Sequence, residues 1–219
     1  MWEYSPESLW PHGRRIAVAP ADAATALEPD LSGDLTLYLA LILTLAPTDV
    51  LLGEKDYELL LAIHHAVQDF HLGVRVQGVP AVRMPDGVVM SLRNTHVPAE
   101  SREQAAALSA ALTAGAHAAE AGAQKVREVA AEVLRAAGVE PEYLEVRGRD
   151  LGAPPVEGDA RLLVAATIGG VRLIDNVGLP LGIGFNNIEE HEAKAELERE
   201  QQREQQRAED AASQQLSED

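Results

Sequence analysis

The chain has 219 residues, no cysteine and a formal net charge of −17, and these properties exclude several classes of protein. Without cysteine there is no disulfide, no thiolate zinc site and no cysteine nucleophile, a composition that fits a cytoplasmic protein. The acidic excess argues against a nucleic-acid partner, because phosphate backbones are bound by lysine and arginine. We find no signal peptide and no apolar run of about 18 residues, so no membrane span is expected.

The first part of the chain has the pattern of a strand–helix–strand unit. Short apolar runs predict strands at 14–20, 48–53 and 73–80. Between the last two, apolar residues recur at helical spacing from Leu59 to Phe70. A helix that joins two neighbouring strands implies a parallel crossover. The leucine-rich run at 35–47 is too short to span a bilayer and predicts a buried helix.

The pattern changes near residues 85–95. Beyond this point the sequence predicts two alanine-rich helices within 103–137, a strand at 143–150 and a hairpin at 160–177 that turns on Gly169-Gly170. The fold class is therefore α/β, with a parallel unit followed by a smaller α+β unit. From residue 186 the chain is rich in glutamate and glutamine and has few large apolar residues, so we expect a disordered or solvated helical tail.

Two stretches contain candidate binding residues. Lys55 follows the strand at 48–53 in the charged turn Glu54-Lys55-Asp56. An ammonium at this place can bind a phosphate, and the alternative is an ordinary surface lysine with no ligand. Ser91 and Arg93 follow the turn at 84–87, where they either contact a polyphosphate or cap the next segment. His64 and His65 are adjacent on the predicted helix and point about 100° apart, so they cannot chelate one metal. No metal site is predicted.

Together these segments resemble the pantothenate synthetase (pantoate–β-alanine ligase) family. The resemblance rests on GEKDY at 53–57, VQGVPAVRMPDGVVMSLRN at 76–94, GVEPEYLEVRGRDLG at 138–152 and ARLLVAATIGGVRLIDNV at 160–177. These segments occur in the family's order and spacing. The resemblance implies ATP-dependent condensation of pantoate with β-alanine through pantoyl adenylate, with Mg²⁺ as the ATP counterion.

The resemblance also implies a domain organisation. It predicts a partial nucleotide-binding Rossmann-like domain at 1–88, a C-terminal lid domain at 89–185 and the acidic tail at 186–219. The parallel sheet would be incomplete, because the family's N-terminal part, with its histidine-containing loop, has no counterpart here. We therefore expect a homo-oligomer, or a partner chain that completes the sheet.

The resemblance assigns roles to individual residues. Lys55 and Arg93 would be the catalytic pair on the ATP phosphates, and the backbone near Val82 would face the adenine. The ATP-binding residues would be Gly53, Glu54, Lys55, Asp56, Val82, Met90, Ser91, Leu92 and Arg93.

The sequence departs from the family pattern at positions that face ligands. Two glutamines follow the aromatic residue in the family, the second binding pantoate, and here they are Glu58 and Leu59. Leucine cannot donate a hydrogen bond. Leu92 replaces a serine of the second phosphate-binding segment. We therefore expect weak ATP binding and little or no ligation by this chain alone. Three hypotheses stay open, namely a family enzyme that needs a partner, a non-catalytic pseudoenzyme and a mis-started or decaying gene.

Overall fold

The computed structural model describes residues 5–21 and 26–183. A short helix α1 (Pro6–Leu9) precedes helix α2 (Leu31–Leu45), strand β1 (Asp49–Gly53), helix α3 (Tyr57–Asp69) and strand β2 (Arg75–Val79). β1 and β2 pair in parallel, with Asp49 opposite Arg75 and Gly53 opposite Val79. The predicted parallel crossover is confirmed.

The first hydrophobic core lies between α2, α3 and one face of the β1–β2 sheet. Leu35, Leu39 and Ile63 are at most 4% exposed, and Val50 and Val76 of the sheet pack against them. The prediction of a helix over 35–47 is confirmed, although it is only partly buried, because Leu43 is 65% exposed at its end. The opposite face of the sheet is more open, since Leu51 of β1 is also 65% exposed.

The strand predicted at 14–20 is wrong, because the described chain has no strand there. Instead this segment runs beside α2 and satisfies its backbone with side chains of that helix. The amide of Val18 donates to Oγ1 of Thr36 at 2.8 Å, and its carbonyl accepts from the hydroxyl of Ser32 at 2.9 Å. Side-chain partners replace the ladder that a strand would need.

The second hydrophobic core belongs to helices α4 (Arg102–His117) and α5 (Ala123–Ala136) and to strands β3 (Tyr143–Gly148), β4 (Gly158–Ile168) and β5 (Val171–Leu181). The strands form an antiparallel sheet in the order β3-β4-β5. Its core includes Leu112, Val126, Leu134, Leu162 and Val164, each at most 1% exposed.

The hairpin between β4 and β5 turns on Gly169 and Gly170, as predicted. Both glycines have positive φ, +56° and +79°, which is the conformation that a tight hairpin turn requires of its two central residues. The α/β fold class is confirmed, with a parallel unit followed by an α+β unit. The domain boundary at residue 88 stays a prediction, and the predicted tail lies outside the described residues. Over the described ranges, no helix has the length and apolar character that a bilayer span requires.

Candidate functional site

A cavity of about 660 Å³ lies between the two cores. One wall comes from the segment before α2 and the start of α2, with Glu28, Asp30 and Asp34, and another from the turn between β1 and α3. The β4–β5 hairpin closes it with Arg172 and Asp175. The cavity is therefore built where the parallel unit meets the antiparallel sheet, and it includes the charged turn singled out in the sequence.

The turn after β1 places Lys55 in this cavity. β1 ends at Gly53, a 3₁₀ turn spans Glu54–Asp56, and α3 begins at Tyr57. The side chain of Lys55 is only 14% exposed, and its Nζ lies 3.3 Å from Oδ1 of Asp56. The turn therefore orients the ammonium into the cavity, where a carboxylate neighbour holds it.

The antiparallel sheet holds the same turn in place. Nδ2 of Asn176 donates to the carbonyls of Glu54 at 3.0 Å and Lys55 at 2.8 Å. The Arg161 guanidinium lies 3.6 Å above the Tyr57 ring and 3.4 Å from the Glu54 carboxylate. The phenol of Tyr57 donates to the carbonyl of Arg149 at 2.7 Å. The turn is thus fixed by the second core and not only by its own backbone.

The second predicted segment is a short loop from Val82 to Met90, which is held by a hydrogen bond between its ends and by an ion pair with strand β5. The Met90 amide donates to the Val82 carbonyl at 2.8 Å, so the two ends of the loop pair. Arg83, inside the loop, donates to the Asp175 carboxylate at 2.6 and 3.0 Å. The Ser91 hydroxyl accepts from the Arg93 amide at 3.2 Å, which is the capping role left open in the sequence. This geometry brings Arg93 to the wall of the cavity.

Carboxylates outnumber cations around the cavity. Its walls include six acidic residues, Glu28, Asp30, Asp34, Asp56, Glu58 and Asp175, and three basic residues, Lys55, Arg93 and Arg172. Arg172 is engaged by Glu28 at 2.6 Å and Glu142 at 2.7 Å. Arg93 is exposed and forms no ion pair with any residue of the described ranges. Of the three cations, it is therefore the one that forms no ion pair in that part of the chain, and its charge acts on Asp34 at longer range, where it lowers the pKa of that carboxyl.

Burial, and after it the acidic surroundings, raise the pKa of two groups on the cavity wall. Burial raises the pKa of Asp34 above its ordinary value of 3.8, and the nearby Asp30 and Asp56 carboxylates raise it further. Burial also raises the pKa of the Tyr143 phenol, which donates to Glu28 at 2.9 Å. Both shifts reflect a site where another negative charge is unfavourable unless a cation accompanies it.

Comparison with known proteins identifies the family. The family model described as pantoate-beta-alanine ligase matches residues 27–178. The chain belongs to this family. Among its relatives are the pantothenate synthetases of Corynebacterium jeikeium, 45% identical over 192 residues, and Saccharopolyspora erythraea, 47% identical over 177 residues. These alignments cover 85% and 77% of this chain, and 63% and 58% of the relatives. The chain thus spans about three fifths of the length of these relatives.

Solved structures of pantoate–β-alanine ligases share the fold. The pantothenate synthetase of Thermus thermophilus is 33% identical, with a TM-score of 0.72 over 78% of this chain and 66% of that chain. The pantoate-beta-alanine ligase of Francisella tularensis is 24% identical, with a TM-score of 0.59 over 78% of this chain and 61% of that chain. The two-part architecture described above is therefore that of the ligase family.

The residues expected to bind ATP divide between two neighbouring places. Lys55, Asp56 and Arg93 line the main cavity together with Leu59, the position expected to have lost its contact with pantoate. Met90, Ser91 and Leu92 line an adjacent apolar groove of about 500 Å³. Of the remaining predicted residues, Gly53 ends β1, Glu54 pairs with Arg161, and Val82 is 60% exposed. The structure thus unites Lys55 with Arg93, and the role of each stays a prediction.

Several residues at this ligase-family cavity were not predicted from the sequence. Glu28, Arg161, Arg172 and Asn176 interact across the cavity or hold its turn, yet they lie outside the charged turn and the loop. The hairpin was interpreted only as an apolar element. A signal was present, because the polar pair Asp175-Asn176 interrupts the apolar run of β5, and a buried polar residue needs partners.

Glu58, which stands where the family has a glutamine, gives a pH-dependent prediction. Its carboxylate accepts from the amides of Leu27 at 2.9 Å and Glu28 at 2.8 Å, and burial raises its pKa above 4.5. The folded chain then binds this proton more tightly than the unfolded chain, so the contribution of Glu58 to stability falls as pH rises through the folded-state pKa. We expect Glu58→Gln to gain stability over the natural chain at pH 7 and to lose that advantage near pH 4.

Urea denaturation at both pH values measures this difference. Glu132→Gln is the matched control, because it makes the same substitution at an exposed position of α5, outside the cavity. A Glu58→Gln advantage that is larger at pH 4 than at pH 7 would show that the two amides, and not burial, dominate the titration of this group, and an equal advantage at both pH values would contradict the raised pKa.

Proposed function

We propose that this chain binds ATP in the cavity between its two cores and forms the nucleotide-binding part of a pantoate–β-alanine ligase. The family reaction is the ATP-dependent condensation of pantoate with β-alanine through pantoyl adenylate. The observation that carries the proposal is the meeting of Lys55 and Arg93 in one cavity, each from a separate family segment. Two cations that converge beside the start of α3 suit a polyphosphate.

Two features of the cavity and one related structure support this assignment. Within the described part of the chain, the ammonium of the largely buried Lys55 has one ion-pair partner, the neighbouring Asp56 carboxylate, which it can exchange for a phosphate oxygen. Arg93 is exposed at the rim and offers a planar guanidinium. The Francisella tularensis ligase, which shares the fold, has been solved in complex with β-γ ATP and β-alanine. ATP and β-alanine are therefore the ligands that the fold is known to admit in that relative.

Magnesium would enter with the nucleotide. Within the described ranges no group of three histidine or acidic side chains is arranged to hold a metal ion. Mg²⁺ does not require such a cage, because it is commonly bound by one or two carboxylates together with phosphate oxygens and water. Asp56 is half-exposed beside Lys55, and it fits this role. Mg²⁺ would also offset the acidic excess of the cavity, which otherwise disfavours an ATP anion.

A second candidate function is a non-catalytic nucleotide-binding relative of the ligases. The acidic cavity wall and Leu59 favour it, because pantoate is itself an anion and Leu59 offers no donor to it. Loss of one preorganised donor at a charge-developing centre costs about 3 kcal/mol. Pyrophosphate release from ATP in the presence of pantoate and β-alanine tests whether the chain ligates by itself. Turnover like that of the Thermus thermophilus enzyme rules out the second function, and background release with intact ATP binding fits both the second function and a ligase that needs a partner chain.

Titration with MgATP tests the nucleotide site that both candidates share. We expect a dissociation constant between millimolar and high micromolar, about 4–6 kcal/mol, and no detectable binding by Lys55→Ala, because the buried ammonium is then lost. Lys125→Ala is the matched control, since Lys125 is 53% exposed on α5, away from the cavity. Isothermal titration calorimetry measures the affinities, and equal affinity of Lys55→Ala and the natural chain would contradict the proposal.

A further inference from the structure

Strand β5 contains a polar pair in the middle of a buried apolar run. Asp175 is 3% exposed and Asn176 is 7% exposed, and they follow the buried Leu173 and Ile174. Burying a carboxylate and an amide is unfavourable unless their hydrogen bonds are satisfied. The partners of these two residues therefore indicate what the pair holds in place.

Asn176 holds the turn that contains Lys55. Its amide nitrogen donates to the carbonyls of Glu54 and Lys55, which uses both of its N–H groups. Its amide oxygen accepts from the guanidinium of Arg161, which also pairs with Glu54. The Arg161 donor and the two backbone carbonyls that accept therefore fix the orientation of the Asn176 amide. The backbone of Lys55 is thus anchored to β5, more than 120 residues along the chain.

Asp175 holds the loop that leads to Arg93. It forms a two-pronged ion pair with Arg83, whose guanidinium also donates to the Gly87 carbonyl and the Ser109 hydroxyl, each at 3.2 Å. These contacts clamp the loop between β5 and α4. Arg93 follows the end of this loop and reaches the same cavity as Lys55.

We propose that Asp175 and Asn176 are the positioning residues of the nucleotide site. One dipeptide of β5 holds the backbone of Lys55 on one side and the loop leading to Arg93 on the other, so it sets the spacing of the two cations. The inference rests on the proposed function for the nature of the ligand. Its structural part, the dependence of Lys55 on Asn176, can be tested without any ligand.

The small number of lysines makes this dependence measurable. The chain has three lysines, Lys55, Lys125 and Lys194. Reductive methylation with ¹³C-formaldehyde gives each lysine a dimethylamine NMR signal and keeps its charge, and lysine-to-arginine variants assign the signals. Lys55 is 14% exposed and should give a signal distinct from that of Lys125, which is 53% exposed. Far-UV circular dichroism of each variant reports whether the chain remains folded.

Asn176→Asp is the sharpest variant, because it keeps the shape of the side chain and the acceptor for Arg161 but removes both donors to the turn. We expect the Lys55 signal to move toward the position of Lys125 while the Lys125 signal stays unchanged. Asn176→Ala should do the same and serves if the aspartate variant does not fold. Thr167→Ala is the control. Thr167 lies on the same hairpin as Asn176, but its hydroxyl bonds to Glu142, before β3, and not to the turn.

The second arm tests Asp175 through two methionines, Met84 inside the loop and Met90 at its end. Asp175→Asn weakens the ion pair with Arg83, so the ¹³C-methyl signals of Met84 and Met90 should move while the Lys125 signal stays in place. Unchanged methionine signals in a folded Asp175→Asn chain would overturn the role given to Asp175.

Addition of MgATP separates this inference from the proposed function. In the natural chain the Lys55 signal should move on titration. Asn176→Ala, which adds no charge, should weaken ATP binding about tenfold with little effect on adenosine, because the Lys55 ammonium that it displaces acts on the phosphates. If the chemical shift of the Lys55 signal does not change when MgATP is added, the nucleotide assignment is wrong. If it is the same in Asn176→Asp as in the natural chain, the positioning role is wrong.

Discussion

Replacing Arg83 with methionine is expected to destabilise the fold by about 3 kcal/mol, because it leaves the Asp175 carboxylate buried without its cation. Asp175 is 3% exposed, and Arg83 supplies both of its close charged contacts, at 2.6 and 3.0 Å. The variant also loses the bonds from Arg83 to Gly87 and Ser109. Urea denaturation followed by circular dichroism measures the change in the free energy of unfolding.

The protein contains a matched control for this prediction. Arg75 forms a similar two-pronged pair with Asp49, at 2.7 and 3.0 Å, but its side chain is 76% exposed on β2. Exposed pairs contribute little because water screens them, so Arg75→Met should unfold close to the natural chain. The double variant Arg83→Met/Asp175→Leu should recover much of the lost stability, because no buried charge is left unpaired. Equal losses in the two single variants would contradict the argument.

Replacing Gly115 with valine is expected to cost about 3 kcal/mol, because α4 meets its neighbours there without room for a side chain. A Cβ at Gly115 would lie 2.7 Å from Cδ2 of Leu162, 3.1 Å from the carbonyl oxygen of Val126 and 3.3 Å from Cβ of Ala130. All three neighbours are fully buried. One of these contacts is with backbone, so the clash cannot be relieved by a rotamer change alone.

The helix propensity of valine favours the Gly115→Val variant and so opposes the clash, but its effect on the free energy of unfolding is smaller. Valine is better than glycine in a helix interior by a few tenths of a kcal/mol, so propensity alone would stabilise the variant slightly. Ala110→Val is the control, because Ala110 is exposed on the same helix and tests the β-branched side chain without the clash. Thermal denaturation of both variants compares them, and a Gly115→Val chain as stable as Ala110→Val would show that α4 and α5 can separate at no cost.

The candidate site was only partly predictable from the sequence. Lys55 and Arg93 could be selected because they follow a strand and a turn and because the family resemblance assigns both to the ATP phosphates, and the structure brings them to one cavity. Asn176 and Arg161 could not be assigned, because their partners in the turn lie more than 100 residues away. Local patterns contain no information about which distant backbone carbonyl a buried amide will meet.

The segment at 14–20 shows the same limit within the fold. Its short apolar run predicted a strand, whereas Val18 bonds to Ser32 and Thr36 of α2. Both outcomes satisfy the backbone, and the choice between them depends on whether a neighbouring strand or a helix with hydroxyl side chains lies alongside. The order of elements from residue 31 on was predictable because period and glycine position act locally.

By itself the sequence determined the α/β class, the parallel crossover through α3, the hairpin on Gly169-Gly170 and membership of the ligase family. Apolar periodicity, turn glycines and ordered motifs are properties of neighbouring residues, so they survive without knowledge of the fold. Only the tertiary structure decided that β5 anchors the Lys55 turn, that Arg83 forms an ion pair with Asp175, and that carboxylates outnumber cations at the cavity. These features arise when distant segments pack together, because burial then forces each polar group to find its partner.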